Sequence, residues 1–420
     1  MTQYSSAVNI KLNNMALRFA SLVKKLRPVQ VTGISRYSSF KASNLEIELT
    51  KNPKEIPNAD DLVFGQNFSD HMLEIDWTES EGWTRPKISE IRNFSMHPAT
   101  KVLHYAIELF EGMKAYRGYD NVIRLFRPDK NMERMKTTAL RSNLPDFDGE
   151  ELIECIKKLI AIDSDWVPKP NPSSCSQSST LYIRPTMIGT DPHLGVSKST
   201  SAKLFVIAGP VGPYYKTGFK PISLLADPQF VRATIGGTGG YKMGCNYAPT
   251  IYIQNLANKK HNCQQVLWLY GKDEQMTEVG TMNIFMMWTN EKGVRELVTP
   301  PLSQGIILPG VTRLSLLELA KQWGEFNVSE RIITMKDLVN GLKDNRVEEV
   351  FGAGTACIVS PVDRVLYQNK WLEVPTMEVE NPTYGRLLKN LTDIQFGKAK
   401  SPWMIEVPEI SDRTKLHASQ

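Results

Sequence analysis

The segment Gly236-Gly237-Thr238-Gly239-Gly240-Tyr241-Lys242-Met243-Gly244-Cys245-Asn246-Tyr247 constrains this chain more than any other. Four glycines in five positions let the backbone take positive φ and approach a ligand or another segment closely. Two phosphate-loop patterns fail on spacing. A Walker loop needs Gly-Lys-Ser/Thr, and here Tyr241 and Met243 flank Lys242. The dinucleotide pattern Gly-x-Gly-x-x-Gly, started at Gly237, would put its last glycine on Lys242 itself. What remains is a lysine in a constricted, partly apolar loop, where desolvation lowers an amine's pKa. A neutral amine is what attack on a carbonyl requires. The loop taken alone fits a glycine-rich turn with a surface lysine equally well.

The rest of the chain bounds the choice. Its 420 residues allow two domains, and 41% hydrophobic with 23% charged residues is an ordinary globular composition. No apolar run is long enough to span a bilayer, so no membrane partner is expected. The net charge of +5 is unevenly placed. Residues 1–45 hold seven basic residues (Lys11, Arg18, Lys24, Lys25, Arg27, Arg36 and Lys41) and no acid, which leaves the remainder at −2. A body so balanced makes no electrostatic case for nucleic acid. The five cysteines form no Cys-x-x-Cys pair and no zinc spacing with the six histidines, so single thiols in a reducing compartment and no metal are expected.

Residues 1–45 read as an address. Leu12, Met15, Phe19, Leu22 and Leu26 share one helical face, basic residues flank it, and serines are frequent. That is the composition of a mitochondrial transit peptide; Met15 is an alternative start and Arg36-Tyr37-Ser38 a processing point. Residues 46–208 read as a small α/β domain. Its strands fall at 68–72, 75–77, 122–126, 181–187 and 204–208, and its helices at 131–140 and 149–162. The Pro/Ser-rich stretch 169–180 reads as an exposed loop. The Gly/Pro-rich run 209–221 reads as an interdomain linker, and 222–420 as the larger domain. In the larger domain a helix is expected at 249–259, strands at 265–270, 283–288, 294–298 and 347–351, and a helix from Thr312 to Gly324.

Several groups suit a phosphorylated carbonyl cofactor beside Lys242. Val311 and Thr312 stand at a helix N-terminus, where free N–H groups and the dipole favour an anion. Gly352-Ala353-Gly354-Thr355 supplies further amides, and Arg134 and Arg232 supply charge-assisted donors. Glu278, at a strand end, is placed to keep a pyridine nitrogen protonated, the state in which pyridoxal phosphate is an electron sink. Each group alone also has a plain structural explanation: a surface ion pair for Arg134, a strand-end acid for Glu278, an N-cap for Thr312.

Taken together, the chain resembles the branched-chain amino acid aminotransferases of the fold-type IV pyridoxal-phosphate class. The resemblance runs from about Phe64 to Arg364. It is carried by His104-Tyr-Ala-Ile-Glu-Leu-Phe-Glu-Gly-Met-Lys-Ala115, Arg124-Leu-Phe-Arg-Pro128, Asn131-Met-Glu-Arg-Met135, Leu181-Tyr-Ile-Arg-Pro185, Gly236 to Thr250, Thr277 to Asn283 and Leu308-Pro-Gly-Val-Thr-Arg313. It implies a mixed α/β fold, a small N-terminal domain and a larger one built on a pseudo-barrel-like sheet. It further implies pyridoxal 5'-phosphate as cofactor. The substrates would be leucine, isoleucine, valine, 2-oxoglutarate and glutamate. A homodimer and, with the leader, the mitochondrial matrix complete the picture.

The same resemblance assigns roles. Lys242 bonds the cofactor covalently and then serves as base and acid of the proton shift. Tyr247 bonds the cofactor's phenolic oxygen and Glu278 its ring nitrogen. Arg134, Arg232, Val311, Thr312 and Thr355 hold the phosphate. Phe68, Tyr105, Phe110, Tyr182, Thr281 and Met282 line the side-chain pocket. Thr355 and Ala356 take the substrate α-carboxylate. Arg184, two residues beyond Tyr182 on the same strand face, reads the distal carboxylate of glutamate. Leu194 and Val196 belong to a loop that reaches the neighbouring subunit's pocket. Many animal members carry Cys-x-x-Cys near the carboxylate site; here it reads Cys357-Ile-Val-Ser360, with Cys357 expected to be partly activated by nearby amides. The rival readings are a D-amino acid aminotransferase, an aminodeoxychorismate lyase, or a non-catalytic protein that binds the cofactor as a regulator.

Overall fold

The helix Gly149–Ile162 shows how local sequence sets the architecture. The Asp148 side chain accepts from the Glu150 and Glu151 amides at 3.0 and 3.3 Å, capping the first turn, and both of those residues carry the charge that the helix dipole favours there. Leu152, Ile156, Leu159 and Ile160 recur at three- and four-residue spacing and are wholly buried. They pack with the helix Pro128–Ser142 against the first of two sheets.

The computed structural model describes residues 39–173, 178–212 and 220–410. The transit-peptide segment up to residue 38, the middle of the Pro/Ser-rich loop with Cys175, and most of the expected linker lie outside the described residues.

The first sheet has ten strands and is antiparallel except where Glu46–Ile47 runs parallel to Lys87–Glu90. Its long centre is Ser201–Val211 beside Thr180–Gly189. The two short strands expected around Met72 and Trp77 form one, His71–Thr78. Glu74 does not interrupt it, because its buried carboxylate accepts from Arg92 at 2.5 Å and Lys203 at 3.2 Å. The strand expected to end at Ala208 continues through Gly209 and Pro210 to Val211. Gly209 is there for close approach and not for a turn: a Cβ would lie 1.9 Å from the Asn67 carbonyl oxygen. The last described strand, Met404–Glu406, returns to pair with Ile123–Phe126 at the edge of this sheet.

The second sheet has nine strands, six of which close on themselves. Around the ring run Ile222–Ala226, Gln265–Tyr270, Gln275–Val279, Met282–Thr289, Val347–Gly354 and Ile358–Tyr367, and the last pairs with the first. Leu224, Leu267, Ile284, Met286, Val350 and Val362 belong to the core of this barrel. The helices Val311–Trp323 and Thr383–Gln395 lie over Phe285, Phe351 and Val359 and form a further core. The helix Met335–Lys343 lies outside the expected elements, although Thr334 and Asp337 form a reciprocal capping box at its start, a signal present in the residues.

This barrel is what aims the site. Gly280 turns the chain at φ +55° between Val279 and Met282, which are register partners, and so sets Glu278 and Thr281 at one end of the hairpin. Gly354 and Ile358 close a second turn on a neighbouring strand pair, which carries Thr355 and Ala356.

Candidate active site

The glycine-rich loop lies against the backbone of Gly305 and Ile306. A Cβ on Gly239 would stand 2.3 Å from the Ala233 side chain and 2.9 Å from the Ile306 carbonyl. Asn246 stitches the loop, donating to the Thr238 and Tyr241 carbonyls at 2.8 Å each. The Lys242 amide donates to the Thr138 hydroxyl at 3.2 Å, and its carbonyl accepts from the Phe110 amide at 3.1 Å. The lysine backbone is therefore tied to both sheet and helix, and its side chain projects into a cavity of about 300 Å³.

There the Lys242 Nζ donates to the Tyr247 hydroxyl at 3.0 Å and stands 4.4 Å from the centre of the Phe110 ring. Burial, followed by the positive charge of Arg134, lowers this amine to about 8. Burial and the nearby Glu278 carboxylate push the Tyr247 phenol up to about 12. Glu278 is itself buried. One of its oxygens accepts from the Leu308 amide at 2.8 Å and the other lies 3.1 Å from Arg232 Nε. Burial raises this carboxyl, while Arg232 and the Leu308 amide oppose the rise.

The two expected phosphate arginines are differently engaged. Arg134 lines the cavity with its guanidinium clamped by Glu111 at 2.8 and 2.7 Å and donating to the Pro309 carbonyl at 3.0 Å. Arg232 does not line it: besides Glu278, its guanidinium meets the Gly239 and Ile306 carbonyls at 3.0 and 2.8 Å. Arg232 thus braces the carboxylate and the loop, a placement that strand and helix patterns do not reveal. Glu111, which is completely buried, and Asn131, which donates to it at 2.8 Å, were likewise missed. The acid in Phe110-Glu111-Gly112, between an aromatic and a glycine, was the available signal.

The helix Val311–Trp323 begins at the cavity, one residue earlier than expected. Gly310 is its N-cap and no side chain caps it, so the first-turn amides of Val311 and Thr312 are left to an anion. Thr281, Thr355 and Ala356 also line the cavity. Its aromatic wall is Phe64, Phe110 and Tyr182, with the Phe64 and Tyr182 rings edge to face at 4.9 Å. Arg184 does share a strand face with Tyr182. It donates to the Tyr182 hydroxyl at 3.1 Å and lies over the Phe110 ring at 4.6 Å, and its buried Nε has no partner.

Three expected lining residues stand elsewhere. Phe68 is partly exposed and Phe64 occupies the wall in its place; both lie outside regular elements, where sequence periodicity does not set direction. Met282 points into the barrel core and accepts from the Cys357 thiol at 3.0 Å. Tyr105 is a partly exposed helix residue whose hydroxyl donates to the Leu194 carbonyl. Leu194 and Val196 are exposed. Cys357 is buried, and burial pushes its thiol up, which corrects the expected activation by loop amides.

Comparison with known proteins gives the same neighbourhood. The model of the amino-transferase class IV family matches residues 108–365. A cytosolic branched-chain-amino-acid aminotransferase of Mus musculus is 56% identical over 371 residues, covering 88% of this chain and 94% of that protein. A mitochondrial branched-chain-amino-acid aminotransferase of Bos taurus is 53% identical over 384 residues, covering 90% and 96%. Among solved structures, the branched-chain amino acid aminotransferase of Thermobaculum terrenum in its PLP form is similar at TM-score 0.64 and 16% identity, covering 82% of this chain and 100% of that one. That structure speaks for the fold.

Proposed function

The chain belongs to the class IV aminotransferase family, and we infer that it transfers the amino group of leucine, isoleucine and valine reversibly to 2-oxoglutarate, with pyridoxal 5'-phosphate as cofactor. The observation that carries this reading is the Lys242 amine, 3.0 Å from the Tyr247 hydroxyl, in a cavity that pairs an aromatic wall with the Arg184 cation.

The donor set fits the cofactor. An uncapped helix N-terminus and Arg134 suit a phosphate, a buried carboxylate suits a ring nitrogen, and a buried amine of lowered pKa suits an aldehyde carbon. When bound, pyridoxal phosphate supplies an electron sink for charge developing at the substrate α-carbon. The remaining chemistry belongs to the chain. Lys242 would take the proton from the substrate α-carbon and, as the acid of the same shift, deliver it to the carbon that was the cofactor's aldehyde; the second half-reaction would run that transfer backwards. Burial of the Lys242 amine keeps a neutral fraction available near neutral pH. Tyr247 holds that amine in place. Glu278, braced by Arg232, favours the protonated ring nitrogen. Val311, Thr312, Thr355 and Arg134 hold the phosphate, and the Thr355 and Ala356 amides take the α-carboxylate.

Phe64, Phe110 and Tyr182 accept an aliphatic side chain. Arg184, already stacked on two of these rings, meets the distal carboxylate of glutamate without a change of wall. Amino transfer to 2-oxoglutarate is expected from L-leucine and not from D-alanine. Transfer from D-alanine alone would favour a D-amino acid aminotransferase.

Three finer readings accompany this one. A homodimer is supported by the exposure of Leu194 and Val196, which would reach the partner's pocket. Two domains, one built on each sheet, are supported by the separate cores; the expected bounds shift, because Gly209–Val211 belongs to a strand of the first sheet and Met404–Glu406 returns to that sheet's edge. Mitochondrial import is supported by the acid-free amphipathic first 45 residues and by mitochondrial relatives, although a cytosolic relative is similar too. A fluorescent fusion of residues 1–45 is expected to enter mitochondria, and removal of residues 1–37 to leave turnover in vitro intact. A fusion that stays in the cytosol defeats the import reading.

A further inference from the structure

Behind the Thr355–Ala356 turn stands a buried lysine that the reaction above does not use. Lys114 lies in the strand Met113–Arg117 directly opposite Tyr182, so the two side chains share the face of the first sheet that fronts the cavity. Its ammonium crosses to the second sheet and donates to the Ala356 carbonyl at 2.9 Å. Lys101 is buried as well, but it meets Asp191 at 3.0 Å, the Ser197 hydroxyl at 2.8 Å and the Lys198 carbonyl at 2.7 Å. Lys114 forms no ion pair among the described residues, and the titratable neighbour beside it, the Cys357 thiol, is held neutral by its own burial. An ammonium out of water without an anion is costly, and a bound anion relieves the cost.

The turn gripped by this lysine is strained. Ile358 closes it with φ +63°, a region that a β-branched side chain avoids. Such a conformation persists only where its surroundings over-determine it. The Lys114 bond to Ala356 holds one side of the turn, and the Cys357–Met282 contact at 3.0 Å holds the next residue. Burial lowers the Lys114 amine to about 8, so near neutral pH it is still mostly a charged donor.

We propose that Lys114 is a positioning residue for the substrate α-carboxylate. By gripping the Ala356 carbonyl, and by placing a positive charge behind the turn, it keeps the Thr355 and Ala356 N–H groups facing the cavity. The proposal rests on the reading that this turn takes that carboxylate.

The test is Lys114→Met in the cofactor-loaded enzyme. KM for leucine and KM for 2-oxoglutarate are expected to rise together by about 10- to 100-fold, because both substrates present the same carboxylate. Binding of 4-methylpentanoate, leucine's skeleton without the amino group, is followed through the cofactor absorbance and is expected to weaken by a similar factor. The cofactor itself is retained through dialysis. Unchanged 4-methylpentanoate affinity in a folded, loaded variant overturns the proposal. So does a KM rise confined to one substrate, or loss of the cofactor. If the Met variant does not fold, Lys114→Arg and Lys114→Gln replace it. Arg, which keeps the cation, should bind 4-methylpentanoate within a few-fold of the original chain, and Gln should show the loss; equal affinity in both overturns the idea. Absence of leucine transamination in the unsubstituted chain would instead defeat the underlying reading of function.

Discussion

Replacing Lys242 by alanine is expected to abolish leucine transamination, by at least about 10³-fold, while leaving a folded chain. The fold survives because the loop is held by backbone bonds that alanine keeps: the residue 242 amide to the Thr138 hydroxyl, and its carbonyl from the Phe110 amide. The chemistry does not survive, because the amine both attacks a carbonyl carbon and carries the proton. Lys114, another buried lysine, is engaged with the Ala356 carbonyl. Turnover with leucine and 2-oxoglutarate, together with a thermal melt, checks both halves. Near-normal turnover would remove Lys242 from the mechanism. A companion experiment uses pH. An amine lowered to about 8 gains its neutral, nucleophilic form as pH rises through that value. The rate at which the cofactor-free chain captures added pyridoxal phosphate should therefore climb to about pH 8 and then flatten. An unshifted lysine would keep climbing towards 10.5.

Glu278→Gln is expected to keep the cofactor but slow turnover by about 10²-fold or more, the scale of losing a charge that stabilises the transition state. Glutamine has the same shape and can still accept from the Leu308 amide. It cannot balance Arg232, 3.1 Å away, nor favour a proton on a ring nitrogen. Retention of pyridoxal phosphate on dialysis is measured alongside turnover. Unchanged turnover with weakened retention would make Glu278 a structural brace for the loop carrying Leu308.

Which residues meet which was unevenly legible. Tyr182 and Arg184 were placed together correctly because strand geometry repeats every two residues, and both lie inside a ten-residue strand. Phe64 and Phe68 lie in irregular backbone, which has no such repeat, and there Phe64, not the expected Phe68, lines the cavity. Met282 follows Thr281 in sequence, but Thr281 sits in the turn at the hairpin end while Met282 is the first residue of the strand that follows. Thr281 lines the cavity, and Met282 fills the barrel core against Cys357. Arg232 and Arg134 looked equivalent as cations. Their partners, Glu278 and Glu111, lie 46 and 23 residues away in sequence and make them different.

By itself the sequence determined what depends on neighbours along the chain. This includes the helix 149–162 with its Asp148 cap, the helix start beside Val311, the glycine loop around Lys242, and the motif set that names the family. Those features follow from backbone freedom, capping and short-range periodicity, each set within a few residues. Only the tertiary structure decided the closure of six strands into a barrel, the burial that lowers the Lys242 amine, the bracing of Glu278 by Arg232, and the reach of Lys114 to Ala356. Each of these depends on desolvation or on contacts between residues far apart in sequence, and neither quantity exists until the chain has packed.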